Sequence, residues 1–325
     1  MAGLAEIQAT TWEYREKKPS DMVLDNNPLT YMLKQKGRVK TINGGRVIWE
    51  PARIAQNSFV QRIDASEEIV LGRNDVINQF EYSPRIIVVP VVINALEEAQ
   101  NEGDGKFLDL LDERNTVADE SLMNAVEEDL QGDGTGYGGK AFAGIKSYIV
   151  TSTTSGSYGG LARLTYSAIR NTAVDAPSTF TGATDSSNIE SRLRYTKNLV
   201  LKNGGPELGL AGATYYNAAC DAMSAKQRFT QNKDLIEANF DNVVIEGISL
   251  VLAGGKQFSG LSRIAADRVY LIRLENFALK MYKGYNFQPI EKRPSYNQLV
   301  DVSITVGIGQ FTCNSAALSA VMYDS

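Results

Sequence analysis

Apolar residues recur at three- and four-residue steps in several segments and alternate with polar residues in others, which predicts a chain of mixed helices and strands. The clearest helix covers residues 106–131, where one apolar stripe lies opposite an acidic face. The stripe consists of Leu108, Leu111, Ala118, Leu122, Ala125 and Val126. The acidic face consists of Asp112, Glu113, Asp119, Glu120, Glu127, Glu128 and Asp129. We expect solvent, rather than a bound cation, to cover this acidic face.

A shorter helix is predicted between residues 27 and 37. Asn27 can cap the free amides of the first turn, Pro28 fits the first helical position, and Gly37 suits a left-handed exit. Residues 1–25 are polar and weakly patterned, which indicates an extended arm. The buried face of the helix is expected to contain Leu29, Met32 and Leu33.

The stretch RVKTINGGRVIWEP predicts a β-hairpin whose turn is Asn43-Gly44, because this pair suits a type I′ turn. The chain returns through QFEYSPRIIVVPVVI, where Pro84 and Pro90 predict an edge strand or a bulge. We interpret residues 38–90 as a long two-stranded projection. An isolated two-stranded ribbon is marginally stable in water, so we expect a surface outside the subunit to cover it.

The second half of the chain is mixed. AFAGIKSYIV favours a strand, while TSTTSGSYGG and NTAVDAPSTFTGATDSSN indicate loops. Helices are predicted around SNIESRLRYTKNLVLKNGG and GATYYNAACDAMSAKQRF, and strands from NVVIEGISLVL onward. The sharpest strand pattern is the alternation of Val300, Val302, Ile304, Val306 and Ile308. The fold class is therefore α+β.

The amino-acid composition argues against several kinds of functional site. The chain has 33 basic and 38 acidic residues and a net charge of −5, which argues against a surface dominated by nucleic-acid contacts. It has no histidine, which removes Ser-His-Asp machinery and His-ligated zinc. Cys220 and Cys313 have no metal-ligand spacing and are expected to be buried in a reducing compartment. We predict no catalytic residue, no metal and no cofactor.

The ends and hydropathy of the chain predict its location. The N-terminus has no basic segment followed by an apolar core, so it does not resemble a secretory signal. No apolar run approaches the roughly 20 residues of a membrane-spanning helix. We expect a soluble, cytoplasmic product without membrane contact.

The stretch DGTGYGGKA matches two nucleotide-binding patterns through Gly134, Gly136, Gly139 and Lys140. Both patterns require a strand before the loop and a helix after it, whereas here a helix precedes the loop. Ala141 also replaces the hydroxyl that would bind magnesium. We interpret the loop as a flexible joint in which glycines permit positive φ. Its hinge residues are predicted to be Gly132, Gly134, Gly136 and Gly139.

The order of these elements resembles that of a tailed-bacteriophage major capsid protein with the Hong Kong 97-type fold. Three motifs carry the resemblance: NPLTYMLKQKGRVKTINGGRVIWEP, INALEEAQNEGDGKFLDLLDER and EEDLQGDGTGYGGKAFAGI. It extends over about residues 26–320 and is most specific in 27–145. The implied parts are an N-arm (1–26), a short helix (27–37), a β-hairpin E-loop (38–90), a peripheral domain with a long spine helix (91–140), an axial domain (141–267), and peripheral-domain strands with the C-terminus (268–325).

The resemblance implies a structural protein without enzymatic activity. It would form pentamers and hexamers of an icosahedral head that encloses double-stranded DNA, in a virion capsid assembled in the host bacterial cytoplasm. Expected partners are copies of itself, a separate scaffold protein, a portal and a decoration protein. The assembly interface would include Asn43, Gly44, Phe59, Arg62 and Arg73 of the E-loop and Trp12 and Tyr14 of the arm. Weak, nonspecific DNA contacts would involve Arg15, Lys17 and Lys18.

Two departures from relatives with this fold stand out. No lysine occurs between Lys40 and Lys106, so the E-loop lacks the amine that some relatives use for an isopeptide bond between subunits. NPLTYML begins within about 26 residues, so a fused scaffolding segment is not visible, and the initial Met favours a separate scaffold over processing.

Three alternatives stay open from the sequence. An encapsulin-like bacterial compartment shares the fold but packages enzymes. A nucleotide-dependent enzyme would use the loop at 134–140. A monomeric β-rich binding module would not assemble at all.

Overall fold

The structure is a computed structural model that describes residues 27–94, 106–202, 204–225, 234–235, 241–253, 264–294 and 300–325. Its helices are α1 (Pro28–Gln35), α2 (Lys106–Gln131), α3 (Gly136–Gly139), α4 (Ile145–Tyr148), α5 (Ala176–Thr179), α6 (Ile189–Leu199) and α7 (Ala213–Ala225). Two 3₁₀ turns cover Ser167–Ile169 and Leu274–Asn276. The α+β class is confirmed.

Fifteen strands are assigned within the described ranges. They are β1 (Val39–Ile42), β2 (Ile48–Arg53), β3 (Ile77–Tyr82), β4 (Arg85–Asn94), β5 (Ser157–Tyr158), β6 (Leu161–Ala162), β7 (Thr172–Asp175), β8 (Leu208–Ala211), β9 (Asn242–Ile245), β10 (Ile248–Leu252), β11 (Arg268–Ile272), β12 (Phe277–Tyr282), β13 (Gln288–Pro294), β14 (Val300–Cys313) and β15 (Ala320–Tyr323).

Helix α1 forms where its capping residues predict it. The Asn27 side chain accepts a hydrogen bond of 2.9 Å from the amide of Leu29, and Pro28 occupies the first helical position. Gly37 follows the helix with a φ of 62°, which an L side chain rarely adopts. The predicted buried residues Leu29, Met32 and Leu33 all lie in the core.

Strand β14 is the centre of a five-stranded sheet. It pairs with β12 and β13 along one side and with β4 along the other, and β1 adds to β12 in parallel. Strand β4 pairs continuously with β14 from Arg85 opposite Gly309 to Asn94 opposite Val300. Among the assigned strands it has no second partner, which confirms the edge position predicted from its prolines.

The hairpin predicted at Asn43-Gly44 is wrong. The strand before it, β1, pairs with β12, where Val39 lies opposite Leu279. The strand after it, β2, pairs with β3 instead, so Asn43 and Gly44 join two different sheets. The preference of Asn-Gly for a tight turn depends only on neighbouring residues. Val39, in contrast, is half-buried and packs against the core, and its strand partner comes much later in the chain.

Helix α2 has the predicted bounds, and its stripe residues Ala118, Leu122 and Val126 are buried. The prediction of a fully solvated acidic face is wrong at two positions, because Asp119 and Asp129 are buried. Asp129 accepts a hydrogen bond from the Phe142 amide, so at this position the acidic face is covered by the protein itself.

The six-stranded sheet has the order β7-β15-β11-β8-β10-β9 and is covered on both faces. Val269 and Leu271 face a cluster formed with α6 and α7, while Tyr270 and Ile272 face the larger core shared with α1, α2 and the five-stranded sheet. Strand β15 enters this sheet between β7 and β11.

Strands β11 and β15 pair with strands from the 172–252 region, and the assignment of residues 268–325 to the peripheral domain stays a prediction. Two further expectations are corrected by the assigned elements. AFAGIKSYIV contains the short helix α4 rather than a strand. The stretch NTAVDAPSTFTGATDSSN contains β7 and α5 at its start. The local patterns did not reveal these short elements, and the domain boundaries stay predictions.

Candidate assembly interface

The β2–β3 ribbon carries a long loop, residues 54–76, that contains no helix or strand. Its two ends are joined by a hydrogen bond of 3.0 Å from the Ile54 amide to the Val76 carbonyl. Beyond this closure the loop is exposed, although it is rich in large apolar side chains: Val60 (72% exposed), Ile63 (46%), Ile69 (63%), Val70 (64%) and Leu71 (90%). A contiguous set of this kind is typical of a surface that contacts another protein.

The E-loop residues predicted for the interface lie in or before this loop. Arg62 is exposed, and Arg73 approaches Asp75 at only 4.0 Å with both side chains almost fully exposed. Phe59 is half-buried, with its ring against the backbone of Gly72. Phe59, Arg62 and Arg73 therefore lie on the same loop.

The remaining predicted interface residues are not placed on that loop. Asn43 and Gly44 are exposed but lie in the connection between β1 and β2. Trp12 and Tyr14, and the candidate DNA contacts Arg15, Lys17 and Lys18, lie outside the described residues.

A polar cluster joins the base of the ribbon to the five-stranded sheet. The Nζ of Lys280 lies 2.7 Å from Oε1 of Glu50, and both side chains are only 14% exposed. The Thr312 hydroxyl donates to the same carboxylate oxygen at 2.9 Å. Sequence reasoning missed this cluster, because its members are far apart in the chain.

Aromatic packing fixes the same joint from the other side. Phe80 is fully buried, and its ring stacks on Tyr158 with centroids 4.9 Å apart. The hydroxyl of Tyr82 donates to the Cys313 carbonyl at 2.6 Å. Gly159 approaches so closely that a Cβ there would lie 2.7 Å from Phe80. The base of the ribbon is therefore closely packed, whereas most side chains of the loop at 54–76 are exposed.

A second exposed apolar surface follows one face of β4. Ile86, Val88 and Val92 are 62%, 51% and 46% exposed, whereas the alternate residues Ile87 and Val89 pack against the core. Across the sheet, their partners on β14 are Ile308, Val306 and Val302. This face, like the loop, presents apolar surface that the described residues leave uncovered.

The glycine-rich segment after α2 forms a tight turn with positive φ at Gly134 and Gly139, whereas Gly132 and Gly136 do not require it. Tyr137 and Gly138 also adopt positive φ. Whether this segment acts as a hinge stays a prediction.

Two amides of this turn already have acceptors. Thr135 donates to Asp133 at 2.9 Å, and Gly139 donates to the Thr135 carbonyl at 3.0 Å. Hydrogen bonds from Thr135 lower the pKa of Asp133, which keeps a negative charge inside the loop. A phosphate would meet this negatively charged carboxylate. Like-charge repulsion therefore disfavours a nucleotide phosphate in the turn.

Asp129 joins the end of α2 to the segment that follows the turn. Its Oδ2 accepts a hydrogen bond of 3.0 Å from the Phe142 amide. Burial raises the pKa of Asp129 to about 6, although this hydrogen bond acts in the opposite direction. Gly144 packs against the same helix end, because a Cβ there would lie 2.3 Å from the Asp129 carbonyl oxygen.

The described ranges contain neither a membrane-spanning helix nor a cluster of metal-binding side chains. None of the helices there has the length and apolar composition needed to cross a membrane. The same residues contain no cluster of three His, Cys, Asp or Glu side chains that could hold a metal ion.

No protein-family model matches the chain, and no curated protein does. Solved structures do match along most of its length. The capsid asymmetric unit of cyanophage A-1(L) is 16% identical, with a TM-score of 0.65 over 89% of this chain and 92% of that one. The holo-SrpI encapsulin complex from Synechococcus elongatus PCC 7942 is 10% identical, with a TM-score of 0.57 over 90% and 86%.

The capsid of a native GTA particle is 11% identical, with a TM-score of 0.54 over 91% of this chain and 90% of that one. These structures share one architecture. The chain therefore has the fold of tailed-phage capsid shell proteins, the Hong Kong 97-type fold, as the sequence motifs predicted.

Proposed function

We propose that the chain is a major capsid protein whose copies form the pentamers and hexamers of an icosahedral phage head enclosing double-stranded DNA. The observation that carries this proposal is the exposed apolar loop at 54–76, on a chain with the capsid fold. Hydrogen bonds within the loop, such as the two between Gln61 and Val70, leave its apolar side chains exposed, which supports a partner surface that covers them.

The energetics favour many copies as that partner. Burying apolar surface stabilises by about 25 cal/mol per Å², whereas fixing one residue of loop backbone costs about 1–2 kcal/mol. The lone subunit cannot offset this ordering cost in the loop, but a neighbour that covers Leu71, Val70 and Val60 can. The exposed face of β4 offers a second apolar surface for such contacts.

Other partners belong to the same proposal. A separate scaffold protein, a portal and a decoration protein would act with the shell in the host cytoplasm. The net charge of −5 favours weak, nonspecific contact with DNA, for which Arg15, Lys17 and Lys18 are the proposed residues. The fold and the negative charge of Asp133 inside the glycine turn support a structural rather than an enzymatic role.

Electron microscopy of the purified protein tests the proposal. We expect closed particles of uniform size, alone or with the neighbouring scaffold gene product, and nuclease-protected DNA in particles from infected cells. A monomer in both preparations, with a loop at 54–76 that is protected from protease, would contradict the proposal.

An encapsulin-like compartment is the second candidate, because the SrpI encapsulin matches over 90% of the chain. The polar segment 1–25 and the phage-like motif GDGTG favour the phage interpretation. Particle contents separate the two: a defined cargo enzyme without DNA would support the compartment. Calorimetry with ATP and NAD tests the nucleotide hypothesis. We expect neither ligand to bind, so the unmodified chain and the Lys140→Ala variant should give the same result.

A further inference from the structure

Asn43 and Gly44 lie in the connection between β1 and β2, the segment 43–47. Both residues are exposed, and a Cβ at Gly44 would meet nothing within 4 Å. Neither the Asn43 side chain nor the Gly44 amide makes a hydrogen bond with any described residue. The side-chain carbonyl carbon and the next amide nitrogen along the chain are therefore both available for a reaction with each other.

The reaction open to this pair is deamidation by ring closure. The Gly44 amide gives its proton to hydroxide or water, and its nitrogen attacks Cγ of Asn43. The bond from Cγ to the side-chain nitrogen breaks, and that nitrogen takes a proton from water and leaves as ammonia. Water then opens the five-membered imide. Hydrolysis at Cγ gives aspartate, whereas hydrolysis at the main-chain carbonyl gives isoaspartate, in which the chain continues through the β-carbon.

Glycine at position 44 favours ring closure. A side chain beside the attacking nitrogen would crowd its approach to Cγ, and Gly44 has none. Gly44 and Gly45 have φ values of 75° and 115°, in a region that residues with a Cβ rarely adopt. The segment therefore has a backbone with little steric restriction at the point where the amide has to turn towards the Asn43 side chain.

Other asparagines lack one of these conditions. In the loop at 54–76, Oδ1 of Asn57 accepts a hydrogen bond of 2.9 Å from the Phe59 amide, and Nδ2 of Asn74 donates to a carbonyl at 3.0 Å. The second Asn-Gly pair of the sequence begins at Asn203, which lies outside the described residues. Within the described ranges, Asn43 is the only asparagine that precedes a glycine.

The connection is held on both sides of the reactive pair. The Ile42 carbonyl accepts a hydrogen bond of 3.0 Å from the Lys283 amide, and the Gly45 carbonyl accepts one from the Tyr282 hydroxyl. Isoaspartate adds one carbon atom to the main chain between these two anchors, so at least one of them has to shift. Either product also adds a negative charge to a chain with a net charge of −5, close to the exposed Lys283.

We propose that Asn43 is a site of spontaneous deamidation in the folded, unassembled subunit, and that its isoaspartate product loosens the connection leading into the ribbon. Water and hydroxide are the only co-reactants, so the rate rises with pH as the Gly44 amide loses its proton more often. The modification does not depend on the shell function, because it needs only the geometry of this segment. It makes aged subunits chemically distinct from new ones.

Peptide mapping of the incubated subunit tests the modification. Trypsin releases residues 41–46 as one peptide, because Lys40 precedes it and Arg46 ends it. After incubation at mildly alkaline pH, we expect two products in which NH₂ is replaced by OH, one of them a substrate for an isoaspartyl methyltransferase. Asn43→Gln should lose both products, because its ring closure needs a six-membered ring. An unchanged peptide from the unmodified, folded subunit would overturn the proposal.

A matched pair of glycine variants identifies the attacking nitrogen. Gly44→Ala places a methyl group beside it, and we expect the rate to fall at least several-fold. Gly45→Ala is the control, because it introduces the same methyl group at a second position of positive φ but leaves the Gly44 nitrogen unhindered. Equal rates in the two variants, with equal melting temperatures, would overturn the assignment to the Gly44 amide.

Hydrogen exchange tests the structural effect of the product. The Lys283 amide should exchange faster in aged subunits enriched in isoaspartate than in fresh ones, because its acceptor, the Ile42 carbonyl, is displaced. Freshly prepared Asn43→Asp has the added charge without the added carbon atom and should keep the slow exchange. Equal exchange in the aged subunit and in this variant would overturn the proposed loosening.

Discussion

Glu50 and Lys280 form an ion pair of 2.7 Å that ties the β2–β3 ribbon to the five-stranded sheet. Since both side chains are largely buried, the pair orients the ribbon that carries the exposed loop. Its geometry sets the direction in which the loop leaves the subunit.

Removing one partner of this pair is expected to be costly. Lys280→Met leaves the Glu50 carboxylate buried with only the Thr312 hydroxyl beside it, and we expect a loss of about 2–4 kcal/mol in the free energy of unfolding. Urea unfolding of the unassembled subunit measures this loss. The double variant with Glu50→Gln should recover much of it, and additive losses would show that the two residues are not coupled.

Asp129 predicts an unusual pH dependence. Its folded pKa of about 6 lies above the ordinary 3.8, so the folded state binds a proton between these pH values and the unfolded state does not. This carboxyl therefore favours folding as the pH falls from above 6 to 3.8, and it opposes folding at neutral pH. At pH 7.5 we expect Asp129→Asn to stabilise the subunit by up to about 3 kcal/mol, since each pKa unit corresponds to about 1.4 kcal/mol.

Unfolding measured between pH 4 and pH 8 checks the sign. The advantage of Asp129→Asn should shrink as the pH falls, because the native carboxyl becomes protonated. A constant difference would show that the amide acts through packing and not through the missing charge. Asp133→Asn, in the adjacent turn, is the control and should lack this stabilisation, because the pKa of Asp133 is lowered.

Gly144 is expected to tolerate no side chain. A Cβ there would lie 2.3–2.5 Å from three carbonyl oxygens at the end of α2, those of Asp129, Leu130 and Gly132. We expect Gly144→Ala to destabilise the subunit by about 3 kcal/mol, at the upper end of overpacking costs. Gly136→Ala is the matched control, because its nearest neighbour would lie at 3.5 Å. Equal melting temperatures for the two variants would refute this packing argument.

The loop should be dispensable for folding and necessary for assembly. Replacing residues 57–73 with a short Gly-Ser linker keeps the closing bond between Ile54 and Val76. We expect the free energy of unfolding to change by less than about 1 kcal/mol, because loop length has a weak effect on stability. Sedimentation should show subunits but no particles, and normal particles would show that the loop is not an assembly element.

Particles are expected to contain no covalent links between subunits. The ribbon and its loop lack lysine, since none occurs between Lys40 and Lys106, so no amine is available there for an isopeptide bond. Purified particles boiled in detergent should give one band near 35.5 kDa. A ladder of multiples in the unmodified protein would show that another side chain forms the bond.

The sequence predicted best what local chemistry determines. Helix α1 follows from its Asn27 cap and Gly37 exit, and α2 follows from its apolar stripe, because these signals lie within one or two turns. The Asn43-Gly44 hairpin failed because a local turn preference was weaker than the pairing of β1 with the distant β12.

The candidate site was predicted only in outline. The exposed loop was expected from the unsupported ribbon, but its anchor, Glu50 with Lys280, joins residues whose proximity no periodicity reveals. Buried Asp129 was assigned to a solvated face for the same reason, because its cover comes from a segment beyond the glycine turn.

The pairing of β1 with β12 and of β4 with β14 has a consequence for synthesis. Val39 and Arg85 are synthesised long before Leu279 and Gly309. The nascent polypeptide therefore lacks the sheet on which its ribbon is mounted until these later strands have been made. A product truncated before β14 leaves its ribbon without this support.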